Sequence, residues 1–163
     1  MASIATIGVY GFDLDSFLAT LADAKIDHLV DVRQRRGVRG SRYVWANARR
    51  LEAELKEAGV GYTHAKELTP TTELREVQYR EDDRRGEGKR ARTVLAPEYA
   101  QRYTEEILDR ADLEPIVKWI GKSSAALFCV ERDPEACHRS LIAERLKRDW
   151  GFSVRHLRPS DPN

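Results

Sequence analysis

The run Leu127-Phe128-Cys129-Val130-Glu131-Arg132-Asp133-Pro134-Glu135-Ala136-Cys137-His138-Arg139-Ser140 constrains this chain more than any other. Ala125 to Val130 is apolar and reads as a buried strand, Pro134 marks a polar turn, and a helix is predicted from near Cys137 to Trp150. A strand that ends, turns and feeds a helix is the building unit of an open α/β sheet, where ligands sit at the carboxyl ends of strands. The helix start adds unpaired N–H groups and a positive dipole end, both favourable to anions and thiolates. Two thiols, a carboxylate, an imidazole and a guanidinium are gathered at this one junction.

The remaining pattern supports the same architecture. Further strands are predicted at Ile4–Gly8, His28–Val32, Val60–His64 and Ser153–Leu157. Helices are expected from Asp13 or Asp15 to about Lys25 and from Asn47 to Ala58, where Gly59 suits the residue after a helix end. A helical piece is expected at about Glu73–Asp83, another from Pro97 carrying Tyr99, Tyr103 and Ile107, and a third carrying Ile116 to Ile120. Strands alternating with helices predict a single α/β domain over residues 1–158, with a mainly parallel sheet of about five strands flanked by helices on both faces. Residues 159–163 read as a short tail. Two connections, 33–46 and 65–96, are long for such a fold and are expected to be lids or binding loops.

Charge narrows the function classes. There are 28 basic and 27 acidic residues, a formal net charge of +1, so any nucleic-acid binding would need a local patch. Two cysteines eight positions apart form no disulfide scaffold, and no apolar run approaches the ~20 residues of a membrane span. A cytoplasmic location without membrane association is expected, and the sequence leaves the oligomeric state open.

Four groups of residues are candidates for chemistry. Cys137 at a helix start beside cations is the candidate nucleophile, with Cys129 as a second thiol and Glu131, His138 and Asp31 as acid or base. Arg139 and Ser140 are the nearest anion binders; alternatively, Arg139 could simply lock the junction by bonding strand-end carbonyls. Cys129, Glu131, Cys137 and His138 are also metal-ligand types. They lack the close-spaced Cys or His pairs of zinc sites, so no metal and no cofactor are expected. Asp31 and Arg33 share one side of the second strand, either as site residues or as a structural pair. Finally Arg33, Arg35, Arg36, Arg39 and Arg42 crowd a loop punctuated by Gly37 and Gly40 and followed by Tyr43 and Trp45. This loop, with Tyr10 after the first strand, is expected to bind an anionic or nucleotide-like substrate, the alternative being a non-catalytic nucleic-acid or nucleotide-binding module that uses the arginine-rich 33–42 loop. Its bland counterpart is a charged loop whose aromatics pack back on the core. The stretch Arg84–Arg92 reads as a mixed-charge flexible loop. Neither a G-x-G-x-x-G turn nor a phosphate-binding lysine loop is present.

Thr6-Ile7-Gly8, Val30-Asp31-Val32-Arg33 and Phe128-Cys129-Val130-Glu131 with Cys137-His138-Arg139-Ser140 together resemble the family called domain of unknown function 488. The resemblance runs from about Ile4 to Leu157, and Arg35 to Ser41 resembles one long-loop branch. Many members carry a Gly-His-Ser or Gly-Phe type turn after the first strand; this chain has Gly8-Val9-Tyr10-Gly11. The family implies an α/β sandwich but no established activity. A more distant likeness is to rhodanese-type sulfurtransferases and cysteine phosphatases. Their nucleophilic Cys lies about five residues before the Arg, whereas Cys137 stands two before Arg139.

Overall fold

The computed structural model describes residues 3–88, 92–120 and 122–159. Its sheet is built from β1 (Ser3–Ile7), β2 (His28–Asp31), β3 (Gly61–His64), β4 (Ala125–Phe128) and β5 (Ser153–His156), in the spatial order β3-β2-β4-β1-β5. All four pairings are parallel. The helices are α1 (Leu14–Asp23), α2 (Ala48–Glu57), α3 (Thr72–Arg85), α4 (Pro97–Tyr103), α5 (Glu114–Ile120) and α6 (His138–Trp150). Expected and observed boundaries differ by at most two residues, as fraying ends allow. Of the expected tail, 160–163 lie outside the described residues, as do 89–91 of the basic stretch. No helix among the described residues is long and apolar enough to cross a membrane.

Local signals explain these elements. Asp13 caps α1, accepting from the Ser16 amide at 2.7 Å while the Ser16 hydroxyl accepts from the Asp13 amide. Pro97 opens α4, and Gly86 and Gly151 close α3 and α6 in the left-handed conformation. Strand β4 is buried along its whole length because it lies between β2 and β1 and is covered on both faces. The tyrosine ladder expected after Pro97 is also present: Tyr99 and Tyr103 stack with ring centroids 6.1 Å apart.

Strand order fixes where a site can form. The chain moves one way across the sheet from β1 through β2 to β3, then back to β4 and past β1 to β5. Right-handed crossovers therefore place α1 and α2 on one face and α3 to α6 on the other. α4 packs on α3 and α6, as that arrangement requires. At the carboxyl end of β4 its own loop leaves toward one face and the loops of its neighbours β1 and β2 toward the other, opening a crevice. Asp31, Phe128 and Ile7 are aligned across this end of the sheet.

Gly8 closes one side of the crevice. A Cβ built on it would lie 1.9 Å from the Glu131 carbonyl oxygen, so the chain leaving β1 passes directly against the loop leaving β4. Replacement by alanine must push these two loops apart. Gly8→Ala is expected to lose about 3 kcal/mol or more, or to fail to fold, in urea unfolding followed by circular dichroism. A loss under about 0.5 kcal/mol would show that the two loops move freely.

Candidate functional site

The residues gathered by the 127–140 run meet in three dimensions. Strand alternation turns Phe128 toward α1, where its ring is 5.4 Å from that of Phe17, and Cys129 toward the opposite face. A short 3-10 turn, Pro134–Ala136, then carries the chain to Cys137, the N-cap of α6. Both cysteines are free and buried. His138 follows, with its Nε2 2.8 Å from the Val32 carbonyl oxygen. A carbonyl can only accept, so Nε2 carries the proton and Nδ1 is turned to the sulfurs. Cys129 Sγ and Cys137 Sγ are each 3.8 Å from that Nδ1.

Burial pushes the Cys137 thiol up, but a hydrogen bond from Cys129 and the charges of His138 and Arg139 outweigh it and hold the group well below the ordinary thiol value. Burial and the adjoining Cys137 push Cys129 the other way. Burial opposes charge on His138, and Cys137 overcomes it, raising the imidazole. Glu131 is raised by burial and by Cys137.

These groups line one pocket of about 50 Å³, together with Arg33, Gln34 and Arg35 after β2 and with residues of α3, α4 and the segment between them. Glu131 Oε1 accepts from Arg92 at 2.8 Å, whereas its Oε2 is buried with no hydrogen-bond partner among the described residues. Arg92 also holds Asp82 of α3, at 2.7 and 3.0 Å. Arg75 donates to Gln34 at 2.9 Å and to the Tyr79 hydroxyl, without a carboxylate partner among the described residues. Arg35 is exposed at the mouth.

Other expected residues serve the scaffold. Arg139 is fully buried and donates to the Glu131 and Arg132 carbonyls at 2.8 and 3.2 Å; it does not line the pocket. This is the carbonyl-locking alternative allowed by the sequence. The Ser140 hydroxyl donates to the Cys137 carbonyl at 2.8 Å. Asp31 is fully buried and accepts from the Arg33 side chain at 2.8 Å, the Arg33 amide at 3.0 Å and the Tyr62 hydroxyl at 2.6 Å. Arg33 also donates to the Ala46 carbonyl at 2.8 Å and lies 4.6 Å from the centre of the Phe128 ring.

The arginine loop divides. Arg33 and Arg35 reach the pocket, while Arg36, Arg39 and Arg42 do not line it. Arg36 donates to Tyr62 and Glu52 beside β3, and Arg42 lies over the Tyr43 ring. Tyr43 and Trp45 pack into the core, and Tyr10 is buried with its ring 5.2 Å from Tyr43. Sequence reasoning missed Arg75, Gln78, Asp82, Arg92 and Tyr99. The first four lie in the long 65–96 connection, whose length was the available signal. Arg92 sits among acids and glycines that read as solvated.

The family described as Domain of unknown function DUF488 matches residues 13–146, more than half of the chain. This chain belongs to that family. No curated protein and no solved structure matches it. For this DUF488 protein the Cys-x-Glu and Cys-His-Arg-Ser elements are the two ends of one loop, drawn together by Arg139.

Two measurements check the division between scaffold and pocket. Arg139→Ala removes the donor to the buried Glu131 carbonyl and the part-buried Arg132 carbonyl and is expected to cost about 3 kcal/mol, whereas Arg75→Ala should stay within about 1 kcal/mol, both by urea unfolding. Equal losses would remove the distinction. Tyr62 reports on the Asp31 network: burial and its hydrogen bond to Asp31 push the phenol up to about 12 from 10.0. A raised folded value means that its contribution to stability is complete below pH 10 and lost as pH rises through about 12. The difference in ultraviolet titration between wild type and Tyr62→Phe should have its midpoint near pH 12. A midpoint near 10 would show that the bond to Asp31 is absent.

Proposed function

We propose that this DUF488 protein is a cytoplasmic enzyme that takes a small anionic, phosphate-bearing substrate into the pocket at the carboxyl ends of β2 and β4. The observation that carries this reading is the composition of the pocket wall. Among the described residues Arg35 and Arg75 have no carboxylate partner, and Cys129, Cys137, His138 and Glu131, whose Oε2 has no hydrogen-bond partner there, line the same cavity. An anion enters where cations are not already neutralised, and the low local dielectric strengthens its binding. While the cluster carries only protons, the Cys137 sulfur attacks the substrate phosphorus, forming an S–P bond as the P–O bond to the leaving group breaks. Glu131, pushed toward its protonated form, is placed to give a proton to a leaving group, which departs with its electron pair.

The alternative, a nucleic-acid module using the arginine loop, has less support. Tyr43 and Trp45 are packed in the core and offer no stacking surface.

A panel of small phosphate-, sulfate- and carboxylate-bearing compounds, read by thermal shift and titration, tests the reading. At a ligand concentration 100-fold above Kd, stabilisation of about 2.7 kcal/mol is expected. Arg75→Ala should weaken binding at least tenfold, while Arg36→Ala combined with Arg42→Ala leaves it unchanged. Turnover of any bound compound should disappear in Cys137→Ser. Steeply salt-dependent oligonucleotide binding that follows Arg36 and Arg42 instead would overturn the proposal.

A further inference from the structure

We infer that Cys129, Cys137 and His138 form a binding site for one thiophilic divalent cation, of the zinc class, with its fourth coordination position open to the substrate pocket. The three ligand atoms lie within 4.8 Å of one another, and all three residues are buried. Both sulfurs are 3.8 Å from the same Nδ1. Nitrogen offers one lone pair there, so it can accept a hydrogen bond from one thiol only. A shared cation gives both sulfurs the same relation to the ring. Tetrahedral zinc, with bonds of about 2.3 Å to sulfur and about 2.0 Å to nitrogen, separates sulfur from nitrogen ligands by roughly 3.6 Å. The observed spacing is close to that value before any cation is added.

The surroundings also fit. His138 Nε2 donates to the Val32 carbonyl, the outer hydrogen bond that fixes the tautomer and orientation of a ligating imidazole. Sequence spacing argued against a metal because the cysteines are eight positions apart. That argument assumes ligands from a single tight loop. Here one comes from a strand end and two from a helix start, and the fold supplies the convergence. Two thiolates and an imidazole select zinc over calcium or magnesium. A divalent cation displaces the thiol protons to solvent, so the buried sulfur charge becomes compensated.

Three protein ligands with an open fourth position is the arrangement of catalytic rather than structural zinc. Glu131, whose Oε2 is buried without a partner among the described residues, lines the same pocket as the three ligands. A group held at the fourth position, water or an oxygen of an anionic substrate, would share that pocket with it. The cation site stands on the geometry of the cluster; only this use of its open side rests on the proposed substrate pocket.

The test is titration of the reduced, chelator-treated full chain with Co²⁺, and with Zn²⁺ in competition against a coloured chelator. One equivalent per chain is expected, with a thiolate-to-cobalt charge-transfer band of a tetrahedral site that zinc then abolishes. Cys129→Ser, Cys137→Ser and His138→Gln should each weaken Zn²⁺ more than about 100-fold, beyond the effect of losing an outer-shell partner. Glu131→Gln should retain both the equivalent and the charge-transfer band. Failure of wild type to bind either ion at micromolar concentration would overturn the inference, whatever the folding of the variants. Binding that survives in correctly folded Cys129→Ser would overturn it too. Anion binding by protein that takes up no metal would refute the cation site alone, and metal uptake without any anion binding would refute the pocket reading alone.

Discussion

The site depends on the grip of Arg139 on the loop that leaves β4. Its guanidinium, fully buried at the start of α6, donates to the carbonyls of Glu131 and Arg132. A buried cation is costly unless its N–H groups are occupied, and an irregular loop has carbonyls that need donors. The two carbonyls occupy Nη1 and Nη2 of Arg139, while its Nε is buried with no partner among the described residues. The loop is thereby folded back over the helix that follows it, and Cys129 at one end meets Cys137 and His138 at the other. Gly8 permits this closure from below, because nothing larger fits against the Glu131 carbonyl.

A second buried pair, Asp31 with Arg33, holds the neighbouring edge. Asp31 accepts from Arg33 and Tyr62, and Arg33 reaches on to the Ala46 carbonyl. The long loop after β2 is thus pinned at both ends, and the Val32 carbonyl stands where His138 needs it. Arg92 performs the third such closure, joining α3 to the β4 loop through Asp82 and Glu131. Breaking any of these pairs would leave an uncompensated buried charge, so they hold the pocket wall more by the penalty for opening than by net attraction.

Much of this was legible in the sequence. The strand at Ala125, the turn at Pro134 and the helix from Cys137 follow from hydrophobic periodicity and helix-start signals. The parallel sheet follows from the alternation of elements. What periodicity could not decide was the direction of individual arginines. Arg36, Arg39 and Arg42 share a loop with Arg35, but the 3-10 turn Ser41–Ala46 drops Tyr43 and Trp45 into the core and leads the loop away from the pocket. Arg92 was hidden because burial with Asp82 is a long-range fact, and local composition around it is that of a solvated segment. The convergence of the two thiols on one nitrogen was likewise invisible, since a loop of this length fixes no distance between its ends.

The Val32 carbonyl, accepting from Nε2, aims His138 Nδ1 at both sulfurs. Nitrogen-15 resonance of the His138 ring in the reduced, metal-free protein at mildly alkaline pH tests it most directly. A protonated Nε2 protected from solvent exchange, with an unprotonated Nδ1, is the predicted result. A proton on Nδ1 with Nε2 bare, or an Nε2 proton in rapid exchange with water, would contradict it.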